Sequence, residues 1–335
     1  MAHGGSRRRT AEVNASGEFD LIARIRARAL QAGAARPDVV LGIGDDAAVL
    51  QVPADCLLVV ATDTLNDGVH FPIDTAPADL GWKSLAVNLS DLAAMGAQPA
   101  WCTLSLSMHE ADADWVDAFL DGFLGIATAH GVALVGGDTT RGPLSVSVTV
   151  HGFADFGHAL RRSGALVDDD LWVSGTLGDA AAALSQWRAG GATEPALRRR
   201  LDRPDPRVAT GRALARIAHA CIDVSDGLLA DVGHLCAASA VGARIDIDAL
   251  PASQTMQAMF TDETRRVLQA AGGDDYELCF AAAPSRREAI AAIAGDTGVP
   301  LTRIGRVIAG SDVLSFDRDG DAWQPPRRGF DHFTG

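Results

Sequence analysis

Aspartates recur beside glycines and at the ends of apolar runs in this chain. "GIGDDA" (42–47) sets Asp45 and Asp46 in a turn, "ATDTLND" (61–67) carries Asp63, and "GGDTTRG" (136–142) carries Asp138. "DVSDG" (223–227) adds Asp223 and Asp226, and "GGDDYE" (272–277) adds Asp274, Asp275 and Glu277. Another, Asp91, lies inside the otherwise apolar "KSLAVNLSDLAAMG" (83–96). Gly42-x-Gly44-x-x-Ala47 also fits the dinucleotide-binding fingerprint, with Asp63 near the distance expected of its ribose-binding acid. In that fold a pyrophosphate lies over the turn, where Asp45 and Asp46 would repel it. A divalent cation between carboxylates and phosphates removes the conflict, because Mg²⁺ takes hard oxygen ligands from a few carboxylates and from substrate phosphates. Acids gathered from several strand ends can therefore hold a polyphosphate. Phosphoryl transfer asks for little more than positioning and stabilisation of charge on the transferring group.

Each acid also has a plainer reading. Asp138 suits an Asx turn, and Asp226 suits the cap of the helix that follows it. Ser84, Asn88 and Asp91 fall on one helical stripe, which is either a solvated face or a buried carboxylate that must protonate or find a cation. Arg141 and Arg162 are candidate phosphate clamps, since a guanidinium binds two oxygens at once, or else surface arginines.

Alternating helical and strand patterns supply the frame. "GEFDLIARIRARAL" (17–30) predicts an amphipathic helix, and "DVVLGIG" (38–44) and "CLLVVATDTL" (56–65) short buried strands. "ADLGWKSLAVNLSDLAAMGAQP" (78–99) predicts a long helix closed by Gly96 and Pro99. The strands "WCTLSLSMH", "VALVGGDT" and "LSVSVTVHGFA" follow, with the helix "DADWVDAFLDGFLGIATAHG" after the first. The pattern restarts with the strand "DDLWVSGTL" and the helices "GDAAAALSQWRAG" and "PDPRVATGRALARIAHA", the polar "LRRRLDRPDPR" linking them. "CIDVSDGLLADVGHLCAAS" then reads as strand, turn and helix, before the strands "ARIDIDAL" and "YELCFAA" and the helix "SRREAIAAIAGDTG". The mixture predicts an α/β or α+β protein of two domains, 17–154 and 155–335, after a disordered tail over 1–16.

Composition narrows the chemistry. With 335 residues, 47% of them hydrophobic, the chain can bury two cores, and its net charge of -14 argues against nucleic-acid or anionic-membrane surfaces. Five cysteines without a C-x-x-C pair suggest neither disulfides nor zinc and fit a cytoplasmic location. Lys83 is the sole lysine and lacks the glycine that precedes the lysine of a Walker A loop. Asp155-Phe156-Gly157 has no H-R-D loop before it, so protein-kinase chemistry is excluded.

"GEFDLIARI", "GIGDDAAVL", "TDTLNDGVHF", "KSLAVNLSDLAAMGAQPAW", "GGDTTRGPLSVSVTVHGF", "RSGA", "DVSDGLLADVGH", "GGDDYELCF" and "GFDHF" occur in this order between Gly17 and Phe333. Together they resemble the thiamine-monophosphate kinase family, within the superfamily of aminoimidazole ribonucleotide synthetase and selenophosphate synthetase. The resemblance implies direct transfer of the γ-phosphoryl group of ATP to thiamine monophosphate, the last step of thiamine diphosphate biosynthesis, on several Mg²⁺ ions. It also implies a homodimer in which the N-terminal domains form a shared β-barrel and the C-terminal domains are α/β. By motif position, Asp46, Thr62, Asp63, Asp91, Asp138, Asp223 and Asp226 would ligate Mg²⁺. Gly137, Asp138, Arg162 and Ser225 would contact ATP, and His70, Asp274 and Phe330 the thiamine substrate. Asp91, Asp138, Asp226 and Arg162 would be the catalytic set. The chain departs from the usual pattern at Ala61, where serine is common, and at Asp274, which replaces a glutamate and shortens its reach by a methylene. Asp275 or Glu277 could share the role of Asp274. A related synthetase of the selenophosphate or purine-pathway type is the alternative, although no cysteine precedes Cys56 to serve as the reactive group of the former. A non-catalytic cation or nucleotide binder is the third reading.

Overall fold

The computed structural model describes residues 17–32, 36–326 and 329, so the expectations for the 1–16 tail and for Phe330 lie outside the described residues. The first half runs α1 (Glu18–Gln31), β1 (Val39–Leu41), β2 (Val49–Leu50), β3 (Cys56–Asn66), α2 (Pro77–Ala94), β4 (Gln98–Met108), α3 (Ala113–Ala129), β5 (Ala133–Arg141) and β6 (Ser145–Asp155). Four strands form one sheet in the order β3-β6-β4-β5, with β4 and β5 parallel across the α3 crossover and the other pairs antiparallel. Val146, Val148 and Val150 of β6 are buried on one face against the core that α2 and α3 share. The two helices meet at unusually short range: a Cβ on Gly81 would lie 2.0 Å from the Phe119 carbonyl oxygen, and one on Gly122 would lie 1.7 Å from that of Ala78. Only glycine permits that approach.

The opposite face of this sheet is covered at one end by the separate β1–β2 pair, whose Val39 and Leu50 pack with Trp101 and Phe153, and lies exposed along β3. Strands β1 and β3, which the apolar runs predict to be buried, instead expose Val40, Leu41, Leu58 and Val60. The reason is the period of two: β3 carries Leu65 inward on the helix-covered side, while Leu58, Val60, Thr62 and Thr64 point to the side without helices. Pro99 also differs from its expected place beyond a helix end, because α2 stops at Ala94 and Pro99 already belongs to β4.

The second half comprises β7 (Asp170–Ser174), α4 (Asp179–Arg188), α5 (Pro195–Asp202), α6 (Val208–Leu214), β8 (Ala220–Val224), α7 (Leu228–Ser239) and β9 (Gly242–Asp246). It continues with α8 (Gln254–Met259), α9 (Asp262–Ala271), β10 (Glu277–Ala282), α10 (Arg287–Thr297), β11 (Leu301–Ile308), β12 (Val313–Phe316) and β13 (Ala322–Trp323). Its seven strands are ordered β13-β12-β9-β11-β7-β10-β8. The expected polar link "LRRRLDRPDPR" contains a helix, α5, started by Pro195 at its first turn and braced by Arg198 to Asp202 at 2.5 Å. Strand β10 and its neighbour β8, the edge strand of this sheet, are buried at every position, as expected of strands covered on both faces. Helix α2 packs on both sheets, touching β3 and β6 on one side and β8 and β10 on the other.

Candidate active site

Helix α2 is the ruler of the site. Its polar stripe is not a solvated face: Ser84 is 1% exposed and Asn88 fully buried. Asn88 accepts the Asp63 amide N–H at 3.0 Å through Oδ1 and donates to the Ser84 carbonyl at 3.0 Å, which fixes β3 against the helix. Two residues on, Ser90 donates its hydroxyl to Asp223 Oδ2 at 2.8 Å and ties the helix to the end of β8. Asp63, Asp91 and Asp223 are thereby brought together from three elements and both halves of the sequence.

Beyond β8 the turn at 225–227 is shaped from within the next helix. Asp231 Oδ2 accepts the backbone N–H groups of Ser225, Asp226 and Gly227 at 3.0, 3.1 and 3.1 Å. Asp226 therefore does not cap α7, whose cap position is Gly227 with no side-chain bond, and its carboxylate is left to the cleft. Asp274 sits across from this turn with a φ of 68°, its amide N–H bonded to the Ser225 carbonyl at 2.9 Å. The neighbouring acids turn away: Asp275 is buried and accepts the Gly178 N–H at 2.9 Å, and Glu277 is held by Arg200, Arg207 and Ser174 at 2.6–2.7 Å. Asp274 is the one acid of "GGDDYE" that reaches the cleft.

That cleft has a volume of about 780 Å³. Thr62, Asp63, His70, Asp91, Asp223, Ser225, Asp226 and Asp274 line it, together with apolar residues of α4 and α9 including Leu184, Val267 and Leu268. The described residues that line it do not include Asp46, Gly137, Asp138 or Arg162. Asp46 and Asp138 are exposed, and the Thr139 N–H donates to Asp138 Oδ1 at 2.9 Å. A Cβ on Gly137 would lie 1.8 Å from the Leu104 carbonyl oxygen, so glycine is required where β5 pairs with β4. Thr62 points to the open face of the sheet, opposite Asp63, and bonds Thr149. Sequence reasoning missed Asp231, Tyr276 and the apolar wall. A carboxylate four residues into a helix that follows a D-x-x-D turn was the available signal for Asp231.

The electrostatics are those of acids awaiting a cation. Burial, then the charges of Asp223 and Asp63, push the Asp91 carboxyl up to about 8. Burial raises Asp223 to about 6 against the hydrogen bond from Ser90, with Asp63 adding to the rise. Asp63 is raised by burial and by Asp226, and Asp231 to about 7 by burial and by Asp223 and Asp226. Arg162, although exposed, is near enough for its charge to oppose the rise at both Asp91 and Asp223. Hard oxygens that repel one another across a cleft fit Mg²⁺. Among the described residues, however, no three His, Cys, Asp or Glu side chains enclose a ready-made metal cage. An ion here would complete its shell with phosphate oxygens and water, the usual habit of Mg²⁺.

Comparison with known proteins agrees along the chain. Residues 44–154 match the model of the AIR synthase related protein N-terminal domain, and residues 167–316 match that of the C-terminal domain. The thiamine-monophosphate kinase of Salmonella typhimurium is 47% identical over 326 residues, covering 96% of this chain and 99% of the relative. The crystal structure of thiamine-monophosphate kinase from Stenotrophomonas maltophilia is 55% identical, covers 90% of this chain and 96% of its own, and superposes with a TM-score of 0.83. AaThiL complexed with AMPPCP and TMP is 31% identical, with coverage of 98% and 100% and a TM-score of 0.74. With identity of this degree sustained over both halves, the chain belongs to the thiamine-monophosphate kinase family.

Proposed function

We propose that the cleft transfers the γ-phosphoryl group of ATP directly to the phosphate of thiamine monophosphate, giving thiamine diphosphate and ADP. The observation that carries this reading is the meeting of Asp63, Asp91 and Asp223 in a cleft that also has an apolar wall. The acids suit a polyphosphate with its cations, and the wall suits heteroaromatic rings. The relative solved with AMPPCP and TMP binds one ligand of each kind. Mg²⁺ would be held by Asp46, Thr62, Asp63, Asp91, Asp138, Asp223 and Asp226. The chemistry it supplies when bound is neutralisation of charge between carboxylates and phosphates.

The chain's own residues orient and exclude. Asn88 and Ser90 fix Asp63 and Asp223, and Asp231 holds the 225–227 turn so that Ser225 and Asp226 face the nucleotide. Gly137 and Asp138 complete the nucleotide contacts, and Arg162 balances charge that builds on the transferring group. His70, Asp274 and Phe330 orient the thiamine substrate. No strong general base is needed, because the acceptor phosphate is already largely ionised near neutral pH. The related-synthetase reading is not favoured, since relatives at 45–55% identity are kinases.

Two further readings belong to the proposal. The chain divides at 154/155 into an N-terminal nucleotide-binding and dimerisation domain (17–154) and a C-terminal domain (155–335), and two copies pair through the open sheet face to build a barrel. Support comes from the exposed Leu58 and Val60 on that face. A cytoplasmic setting is supported by the five free cysteines and by the absence of a helix, among the described residues, long and apolar enough to cross a membrane. The function is tested by coupled ADP release with Mg²⁺ and a panel of phosphate acceptors. Release that depends on thiamine monophosphate is expected, and equal release with any acceptor, or none, would refute it.

A further inference from the structure

Lys83, the chain's sole lysine, is 1% exposed inside α2. An ammonium is costly to bury and demands partners. Its partners come from the two halves of the chain. Nζ donates to the His70 carbonyl at 3.1 Å, in the loop after β3, and lies 3.3 Å from Asp274 Oδ1, in the turn before β10. The Tyr276 hydroxyl donates to the same Asp274 oxygen at 2.9 Å. Asp274 and Tyr276 both hold positive φ, 68° and 51°, a conformation that non-glycine residues keep only where surrounding contacts enforce it. Both bonds converge on Oδ1, which leaves Oδ2 as the oxygen for a ligand.

We propose that Lys83 is a positioning residue for the acceptor substrate: it locks Asp274 to the His70 loop across the two halves of the chain and so sets where Oδ2 meets the thiamine moiety. With the ammonium and the phenol hydroxyl both on Oδ1, the carboxylate is fixed at one oxygen and the place of the other follows. The proposal rests on the reading of Asp274 as a thiamine-substrate residue. Lys83 acts through Asp274 and does not touch the transferring phosphoryl group.

Lys83→Met should raise KM for thiamine monophosphate at least tenfold while changing KM for ATP less than twofold, and Lys83→Arg should recover part of the loss. In the Asp274→Asn background, Lys83→Met should add less than a threefold further rise, because the two act as one unit. Equal effects on both substrates, or fully additive effects, would overturn the proposal. A wild-type measurement serves even if these variants do not fold. In protein labelled with ¹³C,¹⁵N-lysine the side chain gives one Cε–Hε signal, which should move on addition of thiamine monophosphate. An unmoved signal with binding confirmed by calorimetry contradicts the role of Lys83. If calorimetry shows no binding, or if Asp274→Asn leaves KM for thiamine monophosphate unchanged, the underlying reading of the site falls and the proposal with it.

Discussion

Asp91 and Asp138 both stand beside small residues in apolar surroundings of the sequence, yet they occupy opposite environments. Asp91 faces two other acids in a cleft, where burial and their charges push its carboxyl up to about 8. Asp138 is exposed on β5, outside the residues that line the cleft, and bonds the N–H of its own neighbour. Asp46 resembles Asp138, being exposed in a turn with its N–H bonded to Asp45 at 2.9 Å. The difference lies in what packs on each element: α2 is pressed between two sheets, whereas β5 is an edge strand. Residue type offers the chemistry, and the packing partner decides whether the charge is concentrated or solvated.

The sharpest way to break this comparison is Asp91→Asn. Removing a preorganised charge from a reaction centre costs about 10²–10³-fold in kcat, and that loss is expected in the ADP-release assay. The same change relieves repulsion in the cleft, so thermal unfolding should stay put or rise, by about 0.5–2 kcal/mol in stability. Activity near wild type would remove Asp91 from the site. Asp138→Asn should act more mildly, raising KM for ATP about tenfold, roughly 1.4 kcal/mol, with the melting temperature unchanged. If its kcat loss equals that of Asp91→Asn, packing does not set how much each acid contributes, and the contrast drawn between them fails.

Two predictions concern the frame and the protons. Val60→Asp on the open sheet face should convert a dimer to monomer in sedimentation velocity, while a wild-type monomer would exclude pairing through that face. The pH dependence follows from the raised carboxyls. Asp223, Asp231 and Asp91 hold protons when folded up to about pH 6, 7 and 8, whereas in the unfolded chain they release them near their ordinary value of 3.8. Between those limits the native state binds more protons than the unfolded state, so stability falls as pH rises from about 4 to about 8. Mg²⁺ competes with those protons, so it should raise the melting temperature more at pH 8 than at pH 5.5. A gain larger at pH 5.5 would show that the ion binds elsewhere.

Part of the cleft was legible in the sequence, because glycine turns carrying acids mark backbone that a ligand can approach closely, although Asp46 and Asp138 carry the same signal and lie outside the lining. Asp63, Asp223, Ser225, Asp226 and Asp274 all reach the cleft. The stripe on α2 was ambiguous because periodicity gives a direction and not what lies there: Asn88 meets Asp63 of β3, and the neighbouring Ser90 meets Asp223 of β8, 133 positions away. Asp226 read as a cap because nothing local announces that Asp231 reaches back to take three N–H groups. Apolar runs in β1 and β3 read as buried, since sequence records hydrophobicity and not whether a sheet face is covered. Strand β11 is missing from the sequence reading because its alternation breaks where the register shifts between Arg303 and Gly305.

The most direct test follows the phosphoryl group itself. With [γ-³²P]ATP, Mg²⁺ and thiamine monophosphate, the wild-type protein should place the label in the terminal phosphate of thiamine diphosphate, one for each ADP released, with no labelled protein and with Asp91→Asn almost silent. ADP accompanied only by labelled inorganic phosphate, or label retained on the chain, would contradict direct transfer in this cleft.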